Sequence, residues 1–280
     1  MIFVDLEGFE GFLAKRLKND NMNIVLLAAG DFPMHNVPMK ALGDADLVVC
    51  CDSAYKQFSF FNYQLSIPFV VIGDGDSLSD ADKQDLGDRW IHVAEQEYND
   101  LHKAMQWVMM NGERRTENGE RRTENGERRT ENGERRESER DRKGANGLST
   151  ENGERKTENG KQRVSILGAT GKREDHTLGN IGYLVSFAEE YPDVEIEMLT
   201  DYGRFVALKG SRTFHSFPGQ QVSVFSMDPE CPIYSEGLRW PLDGLQARRW
   251  WQATLNEALA SEFSLRSEGW LVVFQMHEGK

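Results

Sequence analysis

The chain has 280 residues, 39% of them hydrophobic, and its 46 acidic against 33 basic side chains leave a net charge of −13. That length suits one large domain or two ordinary ones, and so acidic a surface disfavours nucleic-acid backbones and anionic membranes as general partners. Three cysteines, two of them adjacent, argue against a disulfide framework, and no 18-residue apolar stretch offers a membrane span.

Residues 1–20 mix Asp5, Glu7, Glu10, Lys15 and Arg16 with apolar residues instead of forming an apolar leader, so the expectation is a soluble cytoplasmic protein. From Asn23 onward short apolar runs alternate with turns. Residues 24–29 lead to Gly30-Asp31, 46–51 to Asp52-Ser53, 68–72 to Gly73-Asp74, and 164–167 to Gly168. Each run is continuous rather than alternating, as in strands buried on both faces of a parallel sheet. In such sheets ligands bind beyond the carboxyl ends of the strands, so these turns are where chemistry is expected.

The spacing of Leu101, Ala104, Met105 and Val108 behind Asn99 predicts a helix over 100–110, capped by Asn99. A second helix is predicted over 175–190, with Asp175 as its cap and Pro192 beyond its end. Between the two, residues 111–163 repeat Thr-Glu-Asn-Gly-Glu-Arg-Arg with no apolar heptad position, which excludes a coiled coil and predicts a disordered insertion. From Val194 shorter segments at 195–199, 205–208, 221–225 and 270–274 follow antiparallel β grammar. The expected architecture is α/β: an N-terminal doubly wound, mostly parallel nucleotide-binding domain over 1–192, then a smaller antiparallel β-sandwich or barrel over 193–280.

Two clusters carry chemistry. Gly73-Asp74-Gly75-Asp76-Ser77 presents two carboxylates at a strand end, and hard oxygen ligands there suit Mg²⁺, although a solvated Asp-Gly turn has the same composition. Asp52 at a neighbouring strand end and Asp100 at a helix start extend the set to four carboxylates. Gly168-Ala169-Thr170-Gly171-Lys172-Arg173-Glu174-Asp175-His176 passes from strand through glycines and cations into a helix. Such a loop presents backbone N–H groups, a helix start and a bidentate Arg173 to phosphate, without the ending of a Walker loop.

Taken in order, these motifs resemble the thiamine pyrophosphokinase family. Cys51-Asp52-Ser53-Ala54 is similar to its Ala-Asp-Gly-Gly segment, Gly73–Ser77 to Gly-Asp-Phe-Asp-Ser, Glu95–Asp100 to Asp-Gln-Asp-x-Thr-Asp, and Gly168–His176 to Gly-Ala-Thr-Gly-Gly-Arg-x-Asp-His. Gly237–Leu242 and Thr254–Glu257 fall where that family has its C-terminal substrate motifs. Ser53 and Ala54 stand where the family has glycines, Glu95 and Glu97 where it has aspartates, Asn99 for Thr, and Lys172 for the second glycine.

The resemblance implies Mg²⁺-dependent transfer of the diphosphate of ATP to the hydroxyl of thiamine, releasing AMP, in a homodimer whose thiamine site lies near the subunit interface. It assigns Asp52, Asp74, Asp76 and Asp100 to metal and triphosphate. Gln96, Gly168, Thr170, Gly171, Arg173, Asp175 and His176 go to the nucleotide, and Trp240, Leu242 and Asn256 to thiamine. Asp74, Asp76, Asp100 and Arg173 would act in catalysis, with Asp74 and Asp100 both open as the general base. Diphosphate transfer to another small alcohol, such as a hydroxymethyl pterin, and nucleotide sensing without turnover stay open on sequence alone.

Overall fold

The computed structural model describes residues 22–95, 97–111 and 162–280. The repeat tract predicted to be disordered and Gln96 lie outside them, apart from Asn111, Gln162 and Arg163 at the tract's edges. β1 (Asn23–Leu27), α1 (Asn36–Gly43), β2 (Leu47–Cys51), α2 (Tyr55–Leu65), β3 (Phe69–Gly73), α3 (Asp80–Leu86), β4 (Trp90–His92), α4 (residues 100–111), β5 (Arg163–Leu167), α5 (Glu174–Glu190) and β6 (Glu195–Leu199) form the first part. β7 (Gly203–His215), β8 (Gln221–Ser226), β9 (Tyr234–Glu236), β10 (Asn256–Glu257) and β11 (Glu262–Met276) follow.

The strands make one mixed sheet in the order β10-β8-β11-β7-β6-β5-β1-β2-β3-β4, with β9 on β11. β6, β5, β1, β2, β3 and β4 pair in parallel. Alternation along β1 explains the layers. Ile24 and Leu26 face a core with Leu101, Met105, Leu184 and Phe187 from α4 and α5, while Val25 and Leu27 face Leu42, Phe58 and Leu86 from α1, α2 and α3. Both sets are fully buried, the reason these strands read as unbroken apolar runs.

Segment 195–199 differs from its antiparallel expectation. The α5 crossover returns the chain beside β5, so β6 pairs with it in parallel and turns antiparallel only toward β7. The antiparallel strands then continue the same ladder. A register shift between Ser267 and Leu271 lets β11 pair with β9 through its first half and with β8 through its second, around a core with Phe214, Val224, Leu242 and Phe263. α4 has its predicted cap, the His102 N–H donating to Asn99 Oδ1 at 3.0 Å. α5 starts one residue earlier than predicted, with Arg173 at the cap position and Asp175 inside the first turn.

His277, just past β11, stacks on His35 with ring centroids 4.8 Å apart, and its Nε2 lies 3.0 Å from the Thr200 carbonyl. Burial above all pushes the His277 imidazole below its ordinary value, and His35 acts in the same direction. The unfolded chain therefore binds the proton more readily, so this group's contribution to stability is present at neutral pH and lost as pH falls below about 6.5. His277→Gln is expected to flatten that slope, seen as a smaller fall in Tm between pH 7.5 and 5.5 than the parent shows.

Candidate functional site

Parallel pairing of β2 with β3 brings their carboxyl ends side by side, Cys51 opposite Ile72, so Asp52 and Asp74 leave the sheet at one edge. Asp52 is 3% exposed and its Oδ2 accepts the Gly75 N–H at 3.0 Å. The turn tolerates this only because residue 73 is glycine, since a Cβ there would stand 2.8 Å from Asp52 Cγ. Burial raises the Asp52 carboxyl above its ordinary value, and the charges of Asp100 and Asp74 add to the rise.

Asp100, at the start of α4, is held by Lys103 one turn on, Nζ to Oδ1 3.2 Å, with the lysine side chain 5% exposed and the aspartate 26%. A buried ammonium inside an acidic cluster offsets part of its charge. Asp76 stands apart from this group. Its side chain is exposed, and it meets the cluster through its backbone N–H, which donates to Asp74 Oδ1 at 3.1 Å. Among the described residues no three His, Cys, Asp or Glu side chains by themselves enclose a metal position.

The Gly168 loop leaves β5 beside β1. Gly168 and Gly171 have φ of 62° and 80°, and Lys172 shares the left-handed region at 57°, a conformation that favours glycine. The loop is pinned to the end of β1 by Gly30 N–H to Gly168 O at 2.6 Å and Asp31 N–H to Thr170 O at 2.8 Å. Lys172 Nζ donates to the Ala29 carbonyl at 2.8 Å, so its charge closes the turn. Arg173 and Asp175 form an exposed bidentate pair, Nη2 to Oδ2 2.6 Å and Nε to Oδ1 3.1 Å. That contact holds the Asp175 carboxyl down at about 2. His176 is exposed, its N–H donating to Asp175 Oδ1.

Two residues that support this edge, Asn180 and Lys103, belong to none of the motifs. Asn180 in α5 is buried, donates to the Ala169 carbonyl at 2.8 Å and accepts from Asn99 Nδ2 at 3.2 Å, linking the Gly168 loop to the start of α4. Lys103 had one available signal, its i,i+3 spacing from Asp100.

The C-terminal trio does not share one environment. Trp240 is 55% exposed, with the Arg239 guanidinium 5.8 Å from its ring. Asn256 is buried and clamps the backbone of Trp240, accepting its N–H at 3.1 Å and donating to its carbonyl at 2.6 Å. Leu242 lies in the core of the antiparallel part, its backbone N–H donating to Ser235 Oγ at 2.8 Å.

Residues 39–197 match the family model described as thiamin pyrophosphokinase, catalytic domain, and residues 203–274 the one described as thiamin pyrophosphokinase, substrate-binding domain. The chain belongs to the thiamin pyrophosphokinase family. Solved structures of similar fold include the thiamin pyrophosphokinase from Candida albicans, 18% identical with a TM-score of 0.65, covering 91% of this chain and 90% of that one. The yeast thiamin pyrophosphokinase is 15% identical at a TM-score of 0.61, covering 94% and 90%. The Bacillus subtilis thiamine pyrophosphokinase is 15% identical at 0.59, covering 91% and 99%. A comparison with curated proteins gives no significant sequence match. No helix among the described residues is long and apolar enough to cross a membrane. For a thiamin pyrophosphokinase, then, the acidic cluster and the glycine loop meet on one sheet edge, and Trp240 sits in the other half of the chain.

Proposed function

We propose that the chain is a thiamine diphosphokinase in which the edge carrying Asp52, Asp74 and Asp100 receives the triphosphate of ATP. The observation that carries the reading is the convergence of these carboxylates with the Gly168 loop, within a chain whose two halves both match the family. Asp52, Asp74 and Asp100 would hold Mg²⁺, while Asp76, whose side chain stands apart from them, is assigned to the ion by its motif alone. Their hard oxygens and crowded negative charge fit a small divalent cation that takes its remaining ligands from water and phosphate. When bound, that ion supplies charge compensation at the phosphate oxygens.

The N–H groups around Gly168, Thr170 and Gly171 and the start of α5 bind phosphate oxygens. Arg173, held by Asp175 in the free protein, swings a bidentate donor to the triphosphate, with His176 beside it, and Gln96 is assigned to the nucleotide by its motif alone. The hydroxyl oxygen of thiamine bonds to the β-phosphorus, the bond from that phosphorus to the oxygen of the α-phosphate breaks, and AMP leaves with the electron pair. The hydroxyl proton passes to Asp74 or Asp100, the latter oriented by Lys103. Positioning and electrostatics carry most of the rate.

Thiamine is read to Trp240, whose exposed indole attracts a cationic ring, with Asn256 fixing the backbone beneath it and Leu242 anchoring the turn from inside. Asn256, which clamps Trp240, lies in β10, seven strand steps along the sheet from β2. That separation favours a homodimer in which Trp240 of one protomer serves the acidic edge of its partner. We read the parallel part, with helices on both faces, as doubly wound and the domain division as falling near residue 192. The three thiols, none in a disulfide, suit the cytoplasm.

Incubation with ATP, Mg²⁺ and thiamine is expected to give AMP and thiamine diphosphate in equal amounts. Inorganic phosphate without acceptor, or ATP binding with no AMP, would overturn the reading. Trp240→Ala is expected to raise KM for thiamine by about tenfold with Tm unchanged, since the ring is half exposed and its cation contact is worth up to about 2 kcal/mol.

A further inference from the structure

Lys172 stands in the glycine loop where the family has glycine, yet its backbone keeps the left-handed form, with φ at 57°. A Cβ in that region crowds the following carbonyl oxygen, so any residue but glycine is held there at a cost to stability, and such strain gathers where a side chain is used. In the free protein the side chain recovers little of that cost. It is exposed, its Nζ donates to the Ala29 carbonyl at 2.8 Å, and among the described residues no carboxylate forms an ion pair with it, whereas Asp175 holds the neighbouring Arg173. A solvated hydrogen bond to a neutral carbonyl occupies one of the three donors of an ammonium and contributes weakly.

The place of Lys172 on the sheet points to a use. Strand order runs β5-β1-β2-β3, so β1 separates the glycine loop at the end of β5 from Asp52 and Asp74 at the ends of β2 and β3. With neighbouring strands about 4.8 Å apart, the glycine loop's strand lies about 5 Å to one side of β1 and the acidic strand ends about 5 and 10 Å to the other. A triphosphate that touches both the loop and an ion on the carboxylates must pass over the end of β1. That end repels it, because the chain leaves β1 through Asp31, whose carboxylate packs on the loop, where a Cβ on Gly171 would stand 2.1 Å from Oδ2. Lys172 Nζ, resting on the carbonyl of Ala29 two residues before Asp31, brings a positive charge to this crossing.

We propose that Lys172 is a further phosphate-binding residue of this chain, its ammonium leaving the Ala29 carbonyl to pair with the oxygens that cross the end of β1 and to offset the charge of Asp31 there. The inference rests on the diphosphokinase reading for the presence of a triphosphate on this edge. An ammonium is a point charge on a flexible stem, suited to a crossing where Arg173 and its planar fork already approach from the start of α5. Binding then follows the charge at residue 172, while stability follows its backbone.

The test compares Lys172→Gly, Lys172→Met and Lys172→Arg in the full chain, with thermal melting for stability and calorimetry of inorganic tripolyphosphate and of ATP, each with Mg²⁺, for binding. Lys172→Gly is expected to leave Tm unchanged or raise it by up to about 4 °C, since glycine takes the left-handed form freely. The same variant is expected to weaken tripolyphosphate and ATP by about tenfold and to raise KM for ATP alike, with KM for thiamine within about twofold of the parent. Lys172→Met, which keeps the strain and loses the charge, is expected to match it in binding, and Lys172→Arg to stay within about threefold of the parent. The proposal is overturned if Lys172→Gly and Lys172→Met bind tripolyphosphate as the parent does, if the loss in Lys172→Gly comes with a lower Tm, if those two variants differ in affinity, or if Lys172→Arg loses as much as Lys172→Met. All of these outcomes leave the parent binding tripolyphosphate. A parent that binds neither tripolyphosphate nor ATP removes the triphosphate from this edge and sinks the diphosphokinase reading itself.

Discussion

Asp52→Asn is expected to lower the rate of AMP formation by about a thousandfold while raising the Tm of the metal-free protein. The two effects share one cause. Asp52 is the most buried of the acidic residues at this edge, and burial and the charges of Asp100 and Asp74 all disfavour its ionised form. A negative charge kept at such a place costs the fold stability, and function is the usual reason for keeping one. Asparagine preserves the shape and the oxygen that accepts the Gly75 N–H, so packing stays intact while the charge goes. A structural aspartate would behave oppositely, its loss lowering Tm and leaving turnover near the parent value. Steady-state kinetics together with thermal melting in EDTA separates the cases, and a rate within a few-fold of the parent removes Asp52 from the site.

The parallel strands were legible because burial on both faces leaves unbroken runs such as Leu47–Cys51, and the turns that end them carry the acidic and glycine-rich loops. Segment 195–199 alternates in burial like an antiparallel strand, and only the α5 crossover decides its direction, a property of chain path rather than of the five residues. Leu242 shares a motif with Trp240, yet the two side chains part, one into the core and one to solvent, because successive residues of a turn point in different directions. Lys103 and Asn180 were hidden for another reason. Each earns its place through a partner brought near by folding, Asp100 and the Ala169 carbonyl, and neither residue type marks a site by itself. Lys172 is the reverse case. Standing where the family has glycine, it still takes the left-handed conformation that glycine favours, so the backbone of the loop survives the change of side chain.

That backbone depends on a glycine outside the loop, and Gly30→Ala is expected to show it by destabilising the protein by about 2–3 kcal/mol and weakening ATP binding with it. A Cβ on residue 30 would lie 2.2 Å from the Thr170 carbonyl oxygen and 2.4 Å from that of Gly168. Both obstacles are backbone atoms, so no rotamer change relieves the clash. The loop must move off the end of β1, stretching the Gly30 to Gly168 and Asp31 to Thr170 hydrogen bonds together. It then loses the close packing of Asp31 on Gly171 and the alignment of its N–H groups. Gly43 in α1 is the matched control. No atom stands within 4 Å of its Cβ position, and alanine there should be neutral or stabilise by up to about 1 kcal/mol through helix propensity. Chemical denaturation of both variants, with tripolyphosphate affinity measured by calorimetry, checks the pair. If Gly30→Ala is as stable as Gly43→Ala and binds tripolyphosphate as the parent does, the end of β1 does not set the geometry of the phosphate loop.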